Sequence, residues 1–369
     1  MAVGLELNYS FLDRVIHRIA FAAAPVQLTA ADAESALFHA DFDDVRSGRP
    51  IFITSLPRAG TTLLLEALHQ FPSLAAHLYR DMPFVMAPVL WSRVMGAFRK
   101  RAELRERAHG DGMQVGYDSP EAFEEVLWRA FWPEKYEAGG IALWQAADGK
   151  PEAQAFFAQH LKKIIALRRP DRRQDGRYIS KNNANIARLD LIRRMFPDAT
   201  VVVPFRNPVE HAISMLRQHR NFTRMHAEQP FVRRYMADIG HYEFGALHRP
   251  IAFPGLEGLI GGRDPLGADY WLAYWIAAFD YVLARGEGVI LVPYEAACHD
   301  AKHVLADICA RAEIAEDGAL PAAASRFNDS PSPRGGEFAI DAALRDRAAA
   351  LHAALIEAAR SARSPMDSP

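Results

Sequence analysis

The fold of this chain is defined first by a short apolar strand that leads straight into a polar turn and an apolar helix. Residues 51–53 read Ile-Phe-Ile, and residues 63–68 are rich in leucine. The first turn of a helix has backbone N–H groups without partners, and the helix dipole favours an anion beside them. Glycine permits close backbone approach, and arginine adds a permanent charge. We therefore predict a phosphate-binding loop with these contact residues: Pro57, Arg58, Ala59, Gly60, Thr61 and Thr62.

A second apolar strand leads to another arginine. Residues 201–203 are all valine, and we expect Pro204 to end this strand, with Arg206 at its carboxyl tip. Residues 207–210 read Asn-Pro-Val-Glu, which predicts a helix start with a capping box. Ser214 lies on that helix. A second anion site is therefore expected beside the end of this strand.

The two predicted anion sites should face one crevice. Open α/β sheets bind ligands beyond the carboxyl ends of their strands, and both arginines stand at such ends. Two phosphate sites in one crevice imply a nucleotide that carries phosphates at two separate positions. A Walker-type ATP or GTP site needs a lysine directly after its last glycine and then a hydroxyl for magnesium. Here Thr61 follows Gly60, which disfavours a kinase.

The loop at residues 57–62, together with Arg206 and Ser214, resembles the sulfotransferase family, which uses 3'-phosphoadenosine 5'-phosphosulfate (PAPS) as donor. The resemblance implies that the loop holds the 5'-phosphosulfate and that Arg206 and Ser214 hold the 3'-phosphate. In related enzymes a late basic loop adds a third contact to the 3'-phosphate. Arg334 is either that contact or an exposed linker arginine.

Two further stretches resemble the same family, and two positions depart from it. Residues 178–199 resemble its strand–lysine–helix segment, with Lys181 as the lysine, and residues 290–295 resemble its late strand with a Tyr-Glu pair. Ala59 replaces a more frequent serine, and Asn182 and Asn183 follow the lysine. The second departure leaves the pose of Lys181 open, and a solvated lysine at a strand end is the alternative.

The resemblance implies in-line transfer of a sulfuryl group from PAPS to a hydroxyl or amine of an acceptor, with PAP as product. Arg58 and Lys181 would neutralise the charge that builds on the bridging and sulfuryl oxygens. Protein cations can stabilise a sulfuryl group without a metal. We expect no metal because Cys298, His299 and His303, the only close grouping of metal-ligating residue types, lack a zinc spacing.

The general base is not defined by a motif. The resemblance to tyrosylprotein-type sulfotransferases implies a carboxylate after the first crossover helix, which makes Asp81 the first candidate, but a helix cap or an ion pair with Arg80 explains it equally. His77 is the nearby alternative, since its titration near neutrality suits proton removal. A third group stays unassigned: Glu121, Glu124 and Glu125.

Composition agrees with a globular enzyme. Half of the residues are hydrophobic, which suffices for a large core, and the net charge of −2 gives no bulk attraction to nucleic acid or anionic lipid. The two cysteines form no evident disulfide framework, so we expect a reducing, cytoplasmic location. Residues 270–284 are apolar but shorter than the roughly 20 residues of a membrane span, which predicts a core helix.

Strands that alternate with helical stretches predict an α/β fold: one domain over residues 1–369, in three layers, with a P-loop-like parallel sheet between helices. Its expected parts are a helical segment over 1–48, a core over 49–310, an insertion over 220–268 that covers the acceptor, and a loop with a final helix over 321–369. Further strands are expected at 177–180, 201–205 and 289–292. Residues 81–168 should be mainly helical, with a helix start at 119–121.

Two segments rich in aromatic residues, 123–132 and 222–242, predict a partly apolar pocket for a small acceptor, although core packing explains them as well. The sequence leaves the acceptor and the oligomeric state open. A nucleotide- or phosphate-binding protein without chemistry is the alternative function.

Overall fold

A five-stranded parallel sheet forms the centre of the fold. The computed structural model describes residues 11–96, 105–106, 114–115, 119–137, 139–329 and 338–361. The strands of the sheet are β1 (Ile51–Ile53), β2 (Leu74–Ala75), β3 (Arg177–Lys181), β4 (Thr200–Phe205) and β5 (Ile290–Pro293). Their order is β2-β3-β1-β4-β5, and every neighbouring pair is parallel. The predicted parallel sheet is therefore confirmed.

Helices make up most of the remaining described residues. They are α1 (Phe11–Ala20), α2 (Ala24–Phe38), α3 (Thr61–Leu68), α4 (Pro88–Gly96), α5 (Glu125–Phe131), α6 (Pro151–Arg168), α7 (Leu189–Met195), α8 (Pro208–Glu228), α9 (Pro230–Asp238), α10 (Leu256–Ile260), α11 (Ala268–Arg285), α12 (Tyr294–His299), α13 (Ala301–Arg311), α14 (Leu320–Ser325) and α15 (Ala342–Ser361). Two short antiparallel pairs join Arg105–Glu106 to Gln114–Val115 and Tyr136–Glu137 to Gly140–Ile141. None of the described helices is long and apolar enough to cross a membrane.

The two faces of the sheet are covered by two separate hydrophobic clusters. Successive side chains of a strand point to opposite faces, so Phe52 enters one cluster while Ile51 and Ile53 enter the other. The larger cluster contains buried residues of α6, α8, α11 and α15, and the smaller one those of α3, α13 and α14. This arrangement is the predicted three-layer α/β fold.

The strand β4 continues through Pro204, so the expectation that this proline ends the strand is wrong, whereas the predicted end at residue 205 is confirmed. β4 continues to Phe205, and Pro204 pairs in register with Val292 of β5. The carbonyl of Val202 accepts a hydrogen bond from the N–H of Thr54 on the β1 side. Pro204 is two residues further on and faces the same side, where β1 has already ended. Its missing N–H therefore costs no bond of the sheet.

The helix expected to start at residues 119–121 begins later, at Glu125. The N–H of Tyr79 donates to the carbonyl of Ser119 at 3.1 Å, and the N–H of Glu121 donates to the carbonyl of His77 at 3.0 Å. These bonds hold residues 119–121 in an extended pairing with residues 77–79, which delays the helix.

Residues 220–268, which we expect to form an insertion, contain no strand in the structure, as predicted. α8 runs without interruption from Pro208 to Glu228 and so passes through residue 220. The segment then continues through α9 and α10. The core helix expected at 270–284 is confirmed as α11, whose aromatic and aliphatic residues are almost all buried.

A buried ion pair fixes the N-terminal helices to the body of the protein. Glu34 of α2 lies 3.0 Å from Lys163 of α6, and their side chains are 0% and 2% exposed. The Glu34 carboxylate also accepts the N–H of Leu90 in α4 at 2.6 Å. Lys163 donates to Ser35 at 2.9 Å. One carboxylate thus connects three helices.

The Lys163→Met variant should be strongly destabilised because it leaves the Glu34 carboxylate buried without its cation. We expect a loss of about 3–5 kcal/mol in the free energy of unfolding, measured by urea titration. Adding Glu34→Gln, which keeps an acceptor for Leu90, should restore more than half of that loss. Equal stability of the single and double variants would contradict the role of the pair.

Candidate active site

The predicted phosphate-binding loop connects β1 to α3. The loop ends at Gly60, which precedes the first helical residue, Thr61, and has a φ of 90°. Arg58 has a φ of 77°, in the left-handed region that residues other than glycine rarely occupy. Such a conformation costs roughly 1–2 kcal/mol and persists only where its surroundings impose it. The loop is therefore held in one strained shape.

Helix α8 anchors the loop through two side chains. The ring of His211 donates from Nε2 to the carbonyl of Pro57 at 2.9 Å. Ser214, one helical turn further on, has its hydroxyl 3.4 Å from Nε of Arg58. Burial lowers the pKa of His211 to about 3, and the charges of Arg206 and Arg58 act in the same direction. His211 is therefore neutral, and sequence reasoning missed it because its partner lies 154 positions away.

The second predicted arginine follows β4, on the strand next to β1. Arg206 lies 3.2 Å from the carboxylate of Glu210 and 5.1 Å from the ring centre of Tyr294. Nε of Arg206 is buried and has no hydrogen-bond partner among the described residues. A buried donor of this kind normally has an acceptor, so its geometry suits an anionic ligand.

The predicted cap of α8 is confirmed in part. The side chain of Asn207 accepts the N–H groups of Val209 and Glu210 at 3.1 and 3.2 Å. The reciprocal bond of a capping box is absent among the described residues, because the N–H of Asn207 donates to Glu295 at 2.8 Å. Glu210 pairs with the nearby arginine instead, so the capping-box expectation was wrong.

Tyr294 lies between the two halves of the site. It is the first residue of α12, directly after β5. A Cβ atom added to Gly60 would lie 2.5 Å from Cδ2 of this tyrosine, and Arg206 stacks on the same ring. The ring is therefore close to both the loop and the second arginine. Glycine is required at position 60 both by the φ angle and by this contact.

The segment after β3 carries the residues that face the loop from the neighbouring strand. Lys181 is the last residue of β3 and is 7% exposed. Asn183 accepts a hydrogen bond from the hydroxyl of Thr61 at 3.3 Å, and its backbone carbonyl accepts one from Thr54 at 3.2 Å. The amide of Asn183 donates to Glu243 at 3.1 Å. The structure therefore brings Lys181 close to the loop.

A pocket opens beside this segment at the carboxyl end of the sheet. Its lining combines the loop, the end of β3, α5 and the segment after α9. The lining residues are Leu56, Pro57, Ala122, Glu125, Ile141, Lys181, Asn182, Asn183, Ala184, Gly240, His241, Tyr242, Glu243, Arg249, Ile251 and Tyr274. The mixture of apolar walls with few charged groups is typical of a small-molecule site.

Asp81 and His77 belong to a buried polar network in the segment that follows β2. Asp81 is 2% exposed, forms an ion pair with Arg168, and accepts from the ring of His77 and the N–H of Leu78, each at 3.0 Å. Burial raises the pKa of Asp81, but the Arg168 charge and the His77 hydrogen bond outweigh it and hold the pKa below its usual range. Neither residue is among the described residues that line the pocket. This placement favours a structural role for both over proton transfer.

The glutamates of the third candidate group also have structural partners. Glu125 lies 2.9 Å from Arg188, accepts from Asn182 at 2.6 Å and contacts the Tyr136 hydroxyl. Burial raises its pKa, but the Arg188 charge lowers it further, so the net shift is downward. Glu124 accepts from three buried groups: Trp128, Tyr178 and Asn185.

Two remaining predictions concern other parts of the chain. Arg334, the candidate third contact, lies outside the described residues. In the described ranges no three or more His, Cys, Asp or Glu side chains come together in a way that could hold a metal ion. Cys298 is exposed and Cys309 is buried, and neither forms a disulfide.

Comparison with known proteins identifies the family. Residues 50–250 match the sequence profile described as "Sulfotransferase family", which is more than half of the chain. The chain belongs to this family. No curated protein sequence matches the chain significantly.

Solved structures of sulfotransferases are similar to this chain at low identity. Sulfotransferase STF9 from Mycobacterium avium is 15% identical, with 95% of this chain and 86% of that chain covered and a TM-score of 0.49. Sulfotransferase STF1 from Mycobacterium tuberculosis H37Rv is 15% identical, with 87% and 82% covered and a TM-score of 0.47. A sulfotransferase from Alicyclobacillus acidocaldarius is 14% identical, with 85% and 95% covered and a TM-score of 0.39.

The Gly60→Ala variant should be destabilised because alanine is strained at a φ of 90° and its Cβ would overlap the Tyr294 ring. The backbone alone should cost about 1–2 kcal/mol in urea unfolding. Gly258→Ala is the matched control, since Gly258 lies within α10 and a Cβ there meets nothing within 4 Å. That control should be neutral or slightly more stable. Equal losses in both variants would show that the loop contact is unimportant.

His211 should make the stability of the protein depend on pH. Because its pKa is about 3 in the folded state and near 6.5 when unfolded, its contribution is present above pH 6.5 and is lost as the pH falls towards 3. Between these two pH values, one such group lowers the free energy of unfolding by up to about 1.4 kcal/mol for each pH unit of acidification. The His211→Gln variant, which keeps a donor for Pro57, should lose less stability between about pH 6.5 and 4.5. Urea titrations at both pH values test this, and identical pH slopes would refute it.

Proposed function

We propose that this protein is a PAPS-dependent sulfotransferase that transfers the sulfuryl group to a hydroxyl or amine of a small, partly apolar acceptor. One observation carries the proposal: in a chain of the sulfotransferase family, Arg58 and Arg206 stand at the carboxyl ends of two adjacent parallel strands, with the Tyr294 ring beside both sites. Two separated cations in one crevice fit a nucleotide with phosphates at two positions.

The residues present fit both ends of such a donor. At the loop, the start of α3 offers backbone N–H groups, and the buried hydroxyl of Ser55 has no partner among the described residues. At the second site, the buried Nε of Arg206 also lacks a partner within the described ranges. The hydroxyl of Ser214, a residue of the helix that follows Arg206, lies 3.4 Å from Nε of Arg58, so Ser214 is close to the loop as well. We propose that Ser214 serves the 3'-phosphate together with Arg206.

PAPS, when bound, supplies an activated sulfuryl group on a phosphate leaving group. We propose that Arg58 and Lys181 stabilise the charge that develops on the leaving oxygen and the sulfuryl oxygens. Both lie at the same edge of the sheet: Arg58 is in the loop that follows β1, and Lys181 is the last residue of the neighbouring strand β3, where it pairs in register with Ile53. The left-handed backbone of Arg58 and the burial of Lys181 limit their motion, so little reorganisation is needed during transfer.

The acceptor would occupy the pocket beside Lys181. Residues 240–243, Arg249 and Ile251 form one side of this pocket and belong to the segment predicted to cover the acceptor. Their presence in the lining supports that prediction. Aromatic side chains from this segment and α11, Tyr242 and Tyr274, favour an acceptor with an apolar body. A single domain and a cytoplasmic location stay predictions.

Calorimetric titration with PAP and transfer of labelled sulfate from PAPS test the function. PAP should bind more tightly than ATP with magnesium.

Arg58→Ala should lower sulfate transfer by about 10²–10³-fold, because one preorganised donor to the developing charge is lost. Arg206→Ala should weaken PAP binding by roughly 10- to 100-fold, as expected for a hydrogen bond to a charged group.

Arg224→Ala is the matched control, since Arg224 is exposed on α8 and its recorded hydrogen bond goes to Asn221, one turn away. It should bind PAP and transfer sulfate like the parent. A parent protein that does not bind PAP, or that prefers ATP with magnesium, would sink the proposal. PAP binding without any transfer would instead indicate a nucleotide-binding protein without chemistry.

A further inference from the structure

The proposed transfer needs a group that takes the proton of the acceptor. We look for this general base among the side chains that line the pocket. Among its described lining residues, two side chains are carboxylates: Glu125 and Glu243. Glu125 is 2% exposed and is already bound by Arg188, Asn182 and Tyr136. A carboxylate whose charge is compensated in this way is a poor base.

Glu243 differs from Glu125 in both exposure and partners. Its side chain is only half-buried, and one oxygen, Oε1, accepts the Asn183 amide at 3.1 Å. Its other oxygen, Oε2, has no hydrogen-bond donor among the described residues, and no described cation lies within ion-pair distance of the carboxylate. Glu243 therefore presents an oxygen to the pocket that can accept a proton.

The position of Glu243 is fixed from two sides. Its backbone carbonyl accepts a hydrogen bond from Nδ1 of His248 at 2.7 Å, and that ring contacts the Tyr270 hydroxyl at 2.7 Å through its other nitrogen. Burial lowers the pKa of His248 to about 4, so the ring stays neutral near pH 7. Asn183 holds the side chain. Glu243 therefore sits on a rigid support although it lies in a loop.

Asn183 also connects this carboxylate to the donor loop. The same amide that donates to Glu243 accepts from the hydroxyl of Thr61, the first residue of α3, at 3.3 Å. Thr54, directly after β1, donates to the backbone carbonyl of Asn183 at 3.2 Å. A chain of hydrogen bonds thus runs from the phosphate-binding loop through one amide to the carboxylate in the acceptor pocket.

We propose that Glu243 is the general base of sulfuryl transfer and that Asn183 is its positioning residue; this inference rests on the proposed function. The acceptor oxygen forms a bond to sulfur while the bond from sulfur to the bridging oxygen of PAPS breaks. The electron pair of the broken bond leaves with the phosphate oxygen of PAP, and the acceptor proton passes to Oε2 of Glu243. Lys181, in the same pocket, faces the negative charge of the leaving oxygen.

The test compares PAP release from PAPS by the parent and by Glu243→Gln, followed chromatographically in water alone and with 2-naphthol, benzyl alcohol and tyramine as acceptors. Gln keeps the acceptor for Asn183 but cannot take the proton. We expect a loss of at least about 10²-fold in rate, with PAP affinity by calorimetry within about threefold of the parent. The acidic limb of the pH–rate profile should disappear.

Two further variants separate the base from its surroundings. Glu257→Gln, an identical change on the exposed side of α10, should match the parent in rate and pH profile. Asn183→Ala should lower kcat and move the acidic limb to higher pH, because the amide that favours the ionised carboxylate is gone. A purely structural role of Asn183 would leave the position of that limb unchanged and overturn its assignment.

Several outcomes would overturn the assignment of Glu243. The first is a rate of PAP release by Glu243→Gln within threefold of the parent rate. The second is a pH–rate profile that loses its acidic limb in His241→Asn rather than in Glu243→Gln. The third is a parent protein that binds PAP but releases none from PAPS above the uncatalysed rate in solvent. Failure of the parent to bind PAP would instead remove the proposed function itself. The calorimetric measurement therefore distinguishes the two failures.

Discussion

The parallel pairing of β1 with both β3 and β4 is the constraint on which the candidate site depends. Because all three strands run in the same direction, their carboxyl ends reach one edge, and each end delivers a cation: Arg58, Lys181 and Arg206. Three positive side chains at one edge repel each other. Two hydrophobic clusters, one on each face of the sheet, hold the strands in place against this repulsion.

The polar residues at this edge are held by contacts that reach far along the chain. His211 holds the loop carbonyl of Pro57, and Asn183 bridges Thr61 to Glu243. Each of these bonds is individually modest, of order 1 kcal/mol. Together they remove the freedom of a loop that would otherwise relax from its left-handed geometry. The site is therefore prepared by the folded protein before any ligand arrives.

Most of the fold could be predicted from the sequence because its signals are local. The strand, glycine and leucine-rich helix around residues 51–68 lie in one short segment, and Asn207-Pro208 marks a helix start by itself. Pro204 was misjudged because whether a proline fits a strand depends on where the neighbouring strand ends. The general base could not be chosen from the sequence for a related reason: Asp81 and Glu243 are both carboxylates, and only their partners in the fold, Arg168 and Asn183, distinguish them.

The ring of Tyr294 has a consequence for how the two ends of the crevice behave. It touches the glycine that ends the first loop and also stacks under the guanidinium that follows β4. A molecule bound at one end alone would move this ring or restrict its motion, and would thereby change the binding site at the other end. Under the proposed function, the binding free energies of fragments that carry a single phosphate should therefore not add up to that of the whole nucleotide.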